Sequence, residues 1–228
     1  MKKVGIIGGI GPASTLDYYS EIINRCRLKY SDGNYPEIVI NSVNMSEMLS
    51  YISNEDWDAL KGMLLKAIQS LSCAGAEFAA IASNTPHIIF DRVVTESPLP
   101  LISIVDATCA SVRQSGCRKV VIIGTRFTMS SGLYVSVFEK DGITAIVPPA
   151  DTQEVIHGII FPKLEDGIVI PEDKEKMLSI IRGLVKDHSA DGVILGCTEL
   201  PLMIKDADLT LPVFNTTQIH IDAIVDLM

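Results

Sequence analysis

The sequence predicts an α/β protein of two pseudo-symmetric lobes, each a mostly parallel sheet flanked by helices. Three observations carry that expectation. Short apolar runs suited to buried strands alternate with longer helical patterns, which implies right-handed βαβ units. The alternation starts again near the middle of the 228-residue chain. Finally, three stretches of the second half match three of the first in the same order. Lys119-Val-Val-Ile-Ile-Gly-Thr125 matches Lys3-Val-Gly-Ile-Ile-Gly-Gly9 at an offset of 116 residues. Ala190-Asp191 through Cys197 matches Ala76-Glu77 through Ser83 at 114, and Leu211-Pro212-Val-Phe matches Leu99-Pro100-Leu-Ile at 112. Collinear matches with a slowly drifting offset mark an internal duplication. The lobes are expected at residues 1–105 and 106–215, with a C-terminal helix over 216–228 that could complete the first, and with the active site in the cleft between them.

Taken in order, Lys3 to Gly9 reads as a buried strand ending in glycines. Neither G-x-G-x-x-G spacing nor a Walker lysine follows, so a tight strand-to-helix turn at a ligand cleft is expected rather than a nucleotide site. A helical pattern then covers Leu16 to Leu28, and Glu37 to Val43 is a second strand. Asn54 to Leu71 is an amphipathic helix with Asn54 as its cap and Glu55 and Asp56 in its first turn. Phe78 to Ala82 is a third strand, followed by Ser83-Asn84-Thr85-Pro86-His87. Leu99 to Ile104 leads to a fourth, and a helix from Asp106 to Ser115 is stopped by Gly116. In the second half, Pro171 opens a helix and Val193 to Leu195 is a fully buried strand broken by Gly196.

Composition bounds the function. The chain is 47% apolar and 21% charged, as a globular protein is, and its formal net charge is -9. An acidic balance without a basic patch argues against nucleic acid as a partner. No apolar run approaches the roughly 18 residues needed to span a bilayer. Met1-Lys-Lys running directly into a strand is too short for a signal-peptide core, so no membrane association and a cytoplasmic location are expected. Five cysteines without C-x-x-C spacing suggest neither a disulfide framework nor a zinc site.

Chemistry is expected at Cys197. In open α/β sheets ligands bind at the carboxyl ends of strands, and Cys197 stands just past such an end, with Thr198 and Glu199 beside it. The competing reading is one more small buried hydrophobe, because free cysteine is among the most buried residue types. The duplication separates the two readings, since it sets Ser83 and Cys197 at equivalent strand ends. Lobes facing each other would aim both side chains at one carbon from opposite sides. That arrangement suits a reaction that removes a proton from one face and delivers it to the other, such as inversion of an amino-acid α-carbon. Two acid/base groups within hydrogen-bond reach suffice, without metal or pyridoxal. A thiol is a reasonable choice, because its pKa of about 8.5 can be lowered by backbone amides at a helix N-terminus.

Across essentially its whole length the sequence resembles the aspartate/glutamate racemase superfamily of cofactor-independent enzymes. Gly8-Gly9 through Ser14-Thr15 resembles the family's opening segment, and Ser83-Asn84-Thr85-Pro86-His87 its Cys-Asn-Thr-x-His motif. Gly124-Thr125-Arg126-Phe127-Thr128 resembles its Gly-Thr-x-x-Thr, and Gly196-Cys197-Thr198-Glu199 its Gly-Cys-Thr-Glu. Glutamate racemases typically carry histidine in place of Glu199, which points toward the aspartate or broader aspartate/glutamate branch. One departure matters: serine stands at 83 where most relatives have the first cysteine. It reads either as an introduced replacement or as a natural variant, since a branch specific for L-aspartate and L-glutamate carries threonine there.

The resemblance implies that Cys197 abstracts the α-proton of the L-enantiomer, with Ser83 a weak donor on the opposite face, so that turnover is slow or one-sided. It further implies that Gly11, Asn84, Thr85, Thr125, Thr128, Lys163, Thr198 and Glu199 bind an amino-acid substrate, that no cofactor or metal is used, and that the chain forms a homodimer. Glu199 is read either as orienting the substrate ammonium or the thiol, or as a solvated acid at a helix start. The family's arginine after the second strand is missing, Met48 standing about where it belongs, so strict aspartate specificity is not expected. Arg126 could substitute but reads more readily as a surface ion-pair partner. His87 reads as either an orienting or a packing residue. His157, His188 and His220 are assigned nothing, and Cys26, Cys73, Cys109 and Cys117 are expected to be inert. Two other activities compete: a single-thiol decarboxylase or isomerase, and a non-catalytic binding protein for acidic metabolites.

Overall fold

The computed structural model describes residues 1–30 and 33–228. They form two compact units, one of Met1–Ile104 with His220–Met228 and one of Val105–Ile219. The first carries β1 (Val4–Gly8), α1 (Pro12–Lys29), β2 (Ile38–Ser42), α2 (Met45–Ser53), α3 (Trp57–Cys73), β3 (Phe78–Ile81), α4 (Phe90–Val94) and β4 (Leu101–Ile102). The chain then enters α5 (Ile104–Ser115). The second unit continues with β5 (Lys119–Ile123), α6 (Arg126–Ser130), α7 (Leu133–Phe138), β6 (Thr144–Ile146), α8 (Ala150–Ile159), α9 (Pro171–His188), β7 (Gly192–Leu195), α10 (Leu200–Met203) and β8 (Val213–Asn215). The last helix, α11 (Thr216–Leu227), begins in the second unit and ends in the first.

Each unit holds one four-stranded parallel sheet. The orders are β2-β1-β3-β4 and β6-β5-β7-β8, the same topology twice. The strands are short and apolar because helices cover both faces, and β3 and β7 are buried along their whole length. On one face of the first sheet, Val4, Ile6, Phe78 and Ala80 pack with Tyr18, Ile22 and Cys26 of α1 and with Ile221, Ile224 and Val225 of α11. The buried side of α3, with Leu60, Leu64, Ile68 and Leu71, covers the other. In the second unit Val121, Ile123, Val193 and Leu195 pack with Ile156 and Ile159 of α8, Met177, Leu178 and Ile181 of α9, and Leu200 of α10. Full burial of each such aliphatic side chain stabilises by roughly 1.5–3 kcal/mol.

The duplication extends to individual hydrogen bonds. The Lys3 N–H donates to the Glu77 carboxylate at 2.9 Å, and the Lys119 N–H to the Asp191 carboxylate at 2.9 Å. The Ala79 N–H donates to Pro100 O at 2.9 Å, and the Val193 N–H to Pro212 O at 3.0 Å. These are the positions at which the two halves match in sequence.

Several element boundaries differ from expectation. The helix expected from Asn54 begins at Trp57, capped by Asp56, whose carboxylate accepts from the Ala59 N–H at 3.0 Å. Asn54 instead ends an additional helix, α2, which Asn44 caps by accepting from Ser46 N at 3.0 Å and Glu47 N at 3.4 Å. The pattern of Asn44 followed three residues later by Glu47 is the signature of that start. The first helix begins at Pro12, four residues before its apolar pattern does, because proline at the first position is pre-organised for a helical start. The fourth strand pairs only over Leu101–Ile102, and α5 begins at Ile104.

Candidate active site

The order β2-β1-β3-β4 reverses direction between β1 and β3, so the crevice for a ligand opens where the carboxyl ends of those two strands part. In the second unit the same point lies between β5 and β7. Equivalent bonds close the two strand pairs: the Ala82 N–H donates to Ile7 O at 2.9 Å, and the Gly196 N–H to Ile123 O at 2.7 Å. Ser83 and Cys197 are the next residues, so each stands at the switch point of its own unit.

Around the first switch point the glycine-rich turn is held tightly. Gly9 has φ +85°, a left-handed conformation that costs glycine nothing, and its N–H donates to Thr15 Oγ1 at 2.8 Å. The Ser14 hydroxyl donates to Ala82 O at 3.1 Å, tying the start of α1 to the end of β3. Gly8 and Gly124 let the following helices approach. A Cβ on Gly8 would lie 2.4 Å from Thr15 Cγ2, and one on Gly124 3.1 Å from Thr128 Cβ.

Ser83 is half-buried, with its N–H donating to Ile81 O at 2.8 Å. Its carbonyl lies 2.9 Å from Nδ1 of His87. Asn84 is buried, and Thr85 begins a short 3-10 turn over Thr85–Ile89. Gly11 precedes α1 and its carbonyl accepts from the Thr15 hydroxyl at 3.1 Å. At the second switch point Thr125 caps α6, its hydroxyl accepting from the Thr128 N–H at 3.3 Å and lying 3.1 Å from the Thr128 hydroxyl.

Cys197 and Glu199 form a pair. Cys197 Sγ lies 3.0 Å from Glu199 Oε2, and the Thr198 hydroxyl donates to Oε1 at 2.7 Å. Both Cys197 and Glu199 are 7% exposed. Glu199 is therefore not a solvated acid, and both its oxygens face its immediate neighbours in sequence. The thiol is not the acidic one expected from helix amides. Burial, then the Glu199 carboxylate, hold its pKa well above the ordinary thiol value, and the lowering by the Glu199 backbone N–H is the smaller effect. Sequence reasoning missed Glu165, half-buried and just after a short helix over Ile160–Leu164. Burial first, then the charges of Glu199 and Asp166, push its carboxyl up to about 7. No local motif marks it; only the folded chain brings its charge to bear on Glu199.

Lys163 is exposed, 4.0 Å from Asp173. Arg126 pairs at 2.9 Å with Glu154 on the surface, as the ion-pair reading has it. Met48 is buried on the inner side of α2. Among the described residues all five cysteines are free, and no group of three or more His, Cys, Asp or Glu side chains is placed to hold a metal ion. No helix among them is long and apolar enough to cross a membrane.

Two four-stranded parallel sheets of one topology, flanked by helices, match the two-lobed α/β racemase fold. The family model for Asp/Glu/Hydantoin racemases matches residues 7–224, and the chain belongs to that family. It is 40% identical to an aspartate racemase homologue from Pyrococcus horikoshii OT3, covering 100% of this chain and 99% of that one with a TM-score of 0.89. It is 24% identical to the broad specificity amino-acid racemase RacX of Bacillus subtilis (strain 168), over 94% of this chain and 92% of that protein. The fold is also that of the Picrophilus torridus aspartate racemase, at 23% identity and a TM-score of 0.77, covering 100% of this chain and 94% of that one. The chain is thus an isomerase of the amino-acid racemase class.

Proposed function

We propose that this protein racemises acidic amino acids, aspartate or glutamate, without a cofactor, by moving the α-proton between Cys197 and Ser83 on opposite faces of the carbon. The observation that carries the reading is the 3.0 Å contact between Cys197 Sγ and Glu199 Oε2, at the position equivalent to Ser83. A thiol held well above its ordinary pKa needs an acceptor for its proton, and Glu199 is that acceptor. The proton passes from Sγ to Oε2, leaving a thiolate and a neutral carboxylic acid. The thiolate takes the α-proton of the L-amino acid and becomes a thiol again. The carbanion then takes a proton from the Ser83 side, directly or through a water, and Glu199 returns its proton to solvent as the Ser83 side is reprotonated.

The substrate carboxylates are bound in this reading by the amides and hydroxyls of Gly11, Asn84, Thr85, Thr125, Thr128 and Thr198, with Lys163 the cation available to the distal group. Glu199, occupied with the thiol, is assigned to the proton rather than to the substrate. The two faces are unequal. A serine hydroxyl is a poor base without an activating partner, and among the described residues no side chain accepts from Ser83. That same observation favours, as a second reading, a single-thiol isomerase that acts on one face only.

Incubation with each enantiomer of aspartate and glutamate in deuterated water, followed by proton NMR, tests the proposal. The α-proton of the L-enantiomer is expected to exchange at least tenfold faster than that of the D-enantiomer, with slow appearance of the opposite isomer. Exchange of L-substrate without any inversion supports the single-thiol reading, and exchange of neither amino acid sinks both. Equal rates from the two enantiomers would show that Ser83 is no weaker than Cys197.

A further inference from the structure

Two buried imidazoles of the first unit join elements around Ser83 that the reaction itself does not use. His87 is 3% exposed and stacks on Phe90, with ring centroids 4.9 Å apart and planes 12° apart. Its Nδ1 lies 2.9 Å from Ser83 O, and its Nε2 lies 3.3 Å from the backbone nitrogen of Ile104. A carbonyl only accepts and a backbone N–H only donates. Nδ1 therefore carries the hydrogen, Nε2 is bare, and the ring is neutral in a single tautomer.

His220, on α11, follows the same logic with its nitrogens exchanged. Its Nε2–H donates to Ile102 O at 3.1 Å, so Nδ1 is the acceptor of the Tyr18 hydroxyl at 2.8 Å. The two rings meet edge to face with centroids 6.2 Å apart. A proton added to Nε2 of His87 would point one donor at another. Burial works in the same direction, first for both rings, and His220 adds to it at His87: the pKa values fall to about 3 for His87 and about 4 for His220.

We propose that His87 is a positioning residue for the Ser83 side of the reaction: by donating to the Ser83 carbonyl while Ile104 holds its other nitrogen, it fixes the backbone from which the Ser83 hydroxyl projects. The inference rests on the racemase reading of Ser83. A misplacement of about 1 Å in a reacting group can cost on the order of 100-fold in rate, and Ser83 lies beyond the last rung of β3, where among the described residues no strand N–H donates to its carbonyl. His220 supports the clasp from behind by tying β4, which leads into Ile104, to Tyr18 of α1.

The test compares His87→Ala and His87→Asn with the wild-type chain. The asparagine amide can replace the Nδ1–H donor to Ser83 O. His87→Ala is expected to slow deuterium uptake from the D-enantiomer at least tenfold more than uptake from the L-enantiomer, and His87→Asn to restore most of that loss. Nitrogen-15 spectra of the imidazoles should show His87 protonated on Nδ1 alone and untitrated from pH 8 to pH 5. Equal losses for both enantiomers, or a His87 ring that titrates near 6.5 or carries its hydrogen on Nε2, would overturn the proposal. Wild-type protein that exchanges neither enantiomer would instead fail the racemase reading and remove the catalytic meaning of the clasp with it.

Discussion

A cysteine two residues from a glutamate is an ordinary sequence feature, and its chemistry comes from the burial of both. At 3.0 Å and almost out of water, the ionised carboxylate disfavours a second negative charge on sulfur. Glu199→Gln removes that charge. We expect the thiol pKa to fall, visible as a shift of the 240 nm thiolate titration to lower pH and as faster alkylation of Cys197 by iodoacetamide at pH 8. Exchange of the L-substrate should nonetheless fall, since the proton acceptor is gone. Glu165→Gln should move the thiol in the same direction by less, because Glu165 ranks behind burial and Glu199 among the causes. The pH dependence has a definite sign: as Glu165 ionises through about pH 7 it adds negative charge near the pair and holds the thiol proton more firmly. Ser83→Cys tests the other face. A large gain in exchange from the D-enantiomer, with little change from the L-enantiomer, is the expected outcome. Cys197, Thr198 and Ser83 could be singled out in the sequence as candidates because duplication set 83 against 197. Glu165 and His220 could not, since each matters only through a partner far away in sequence.

At the scale of the element, the strand-to-helix turns carry the site, and their glycines are required where backbone crowds backbone. A Cβ on Gly9 would meet Val43 O at 2.4 Å in a conformation that already disfavours a side chain. Gly9→Ala should therefore cost about 2 kcal/mol or more in urea unfolding. Gly158→Ala, in α8 with nothing within 4 Å of the added methyl, should be neutral or stabilise by up to about 1 kcal/mol. Most strands and long helices followed from apolar periodicity, because burial on one or both faces imposes it. The second helix did not: the apolar positions Met45, Met48 and Ile52 span too few turns to stand out, and only the Asn44 cap and Glu47 mark its start. The cap of α3 shifted to Asp56 for the same reason, Asn54 being already engaged as the end of α2.

For the whole molecule, the consequence of the buried histidine pair is acid sensitivity. Both rings have folded pKa values below the unfolded value of about 6.5, so the unfolded chain binds more protons between roughly pH 6.5 and 4. Stability is full above pH 6.5 and is lost as pH falls, by roughly 1.4 kcal/mol per pH unit for each ring. Glu165, whose folded pKa is raised to about 7, works in the opposite sense and offsets one ring over the same range. Urea midpoints measured from pH 7 to pH 5 should therefore show the slope of about one ring, and His220→Gln should remove most of it. The duplication, the parallel sheets and the positions 83 and 197 are written in the chain itself, because strand burial and repetition are local patterns that survive without coordinates. The protonation state of those positions is not. Whether a thiol is acidic or a histidine is charged depends on how much water the fold excludes and on which charge it places a few ångströms away, and neither quantity has a period or a motif.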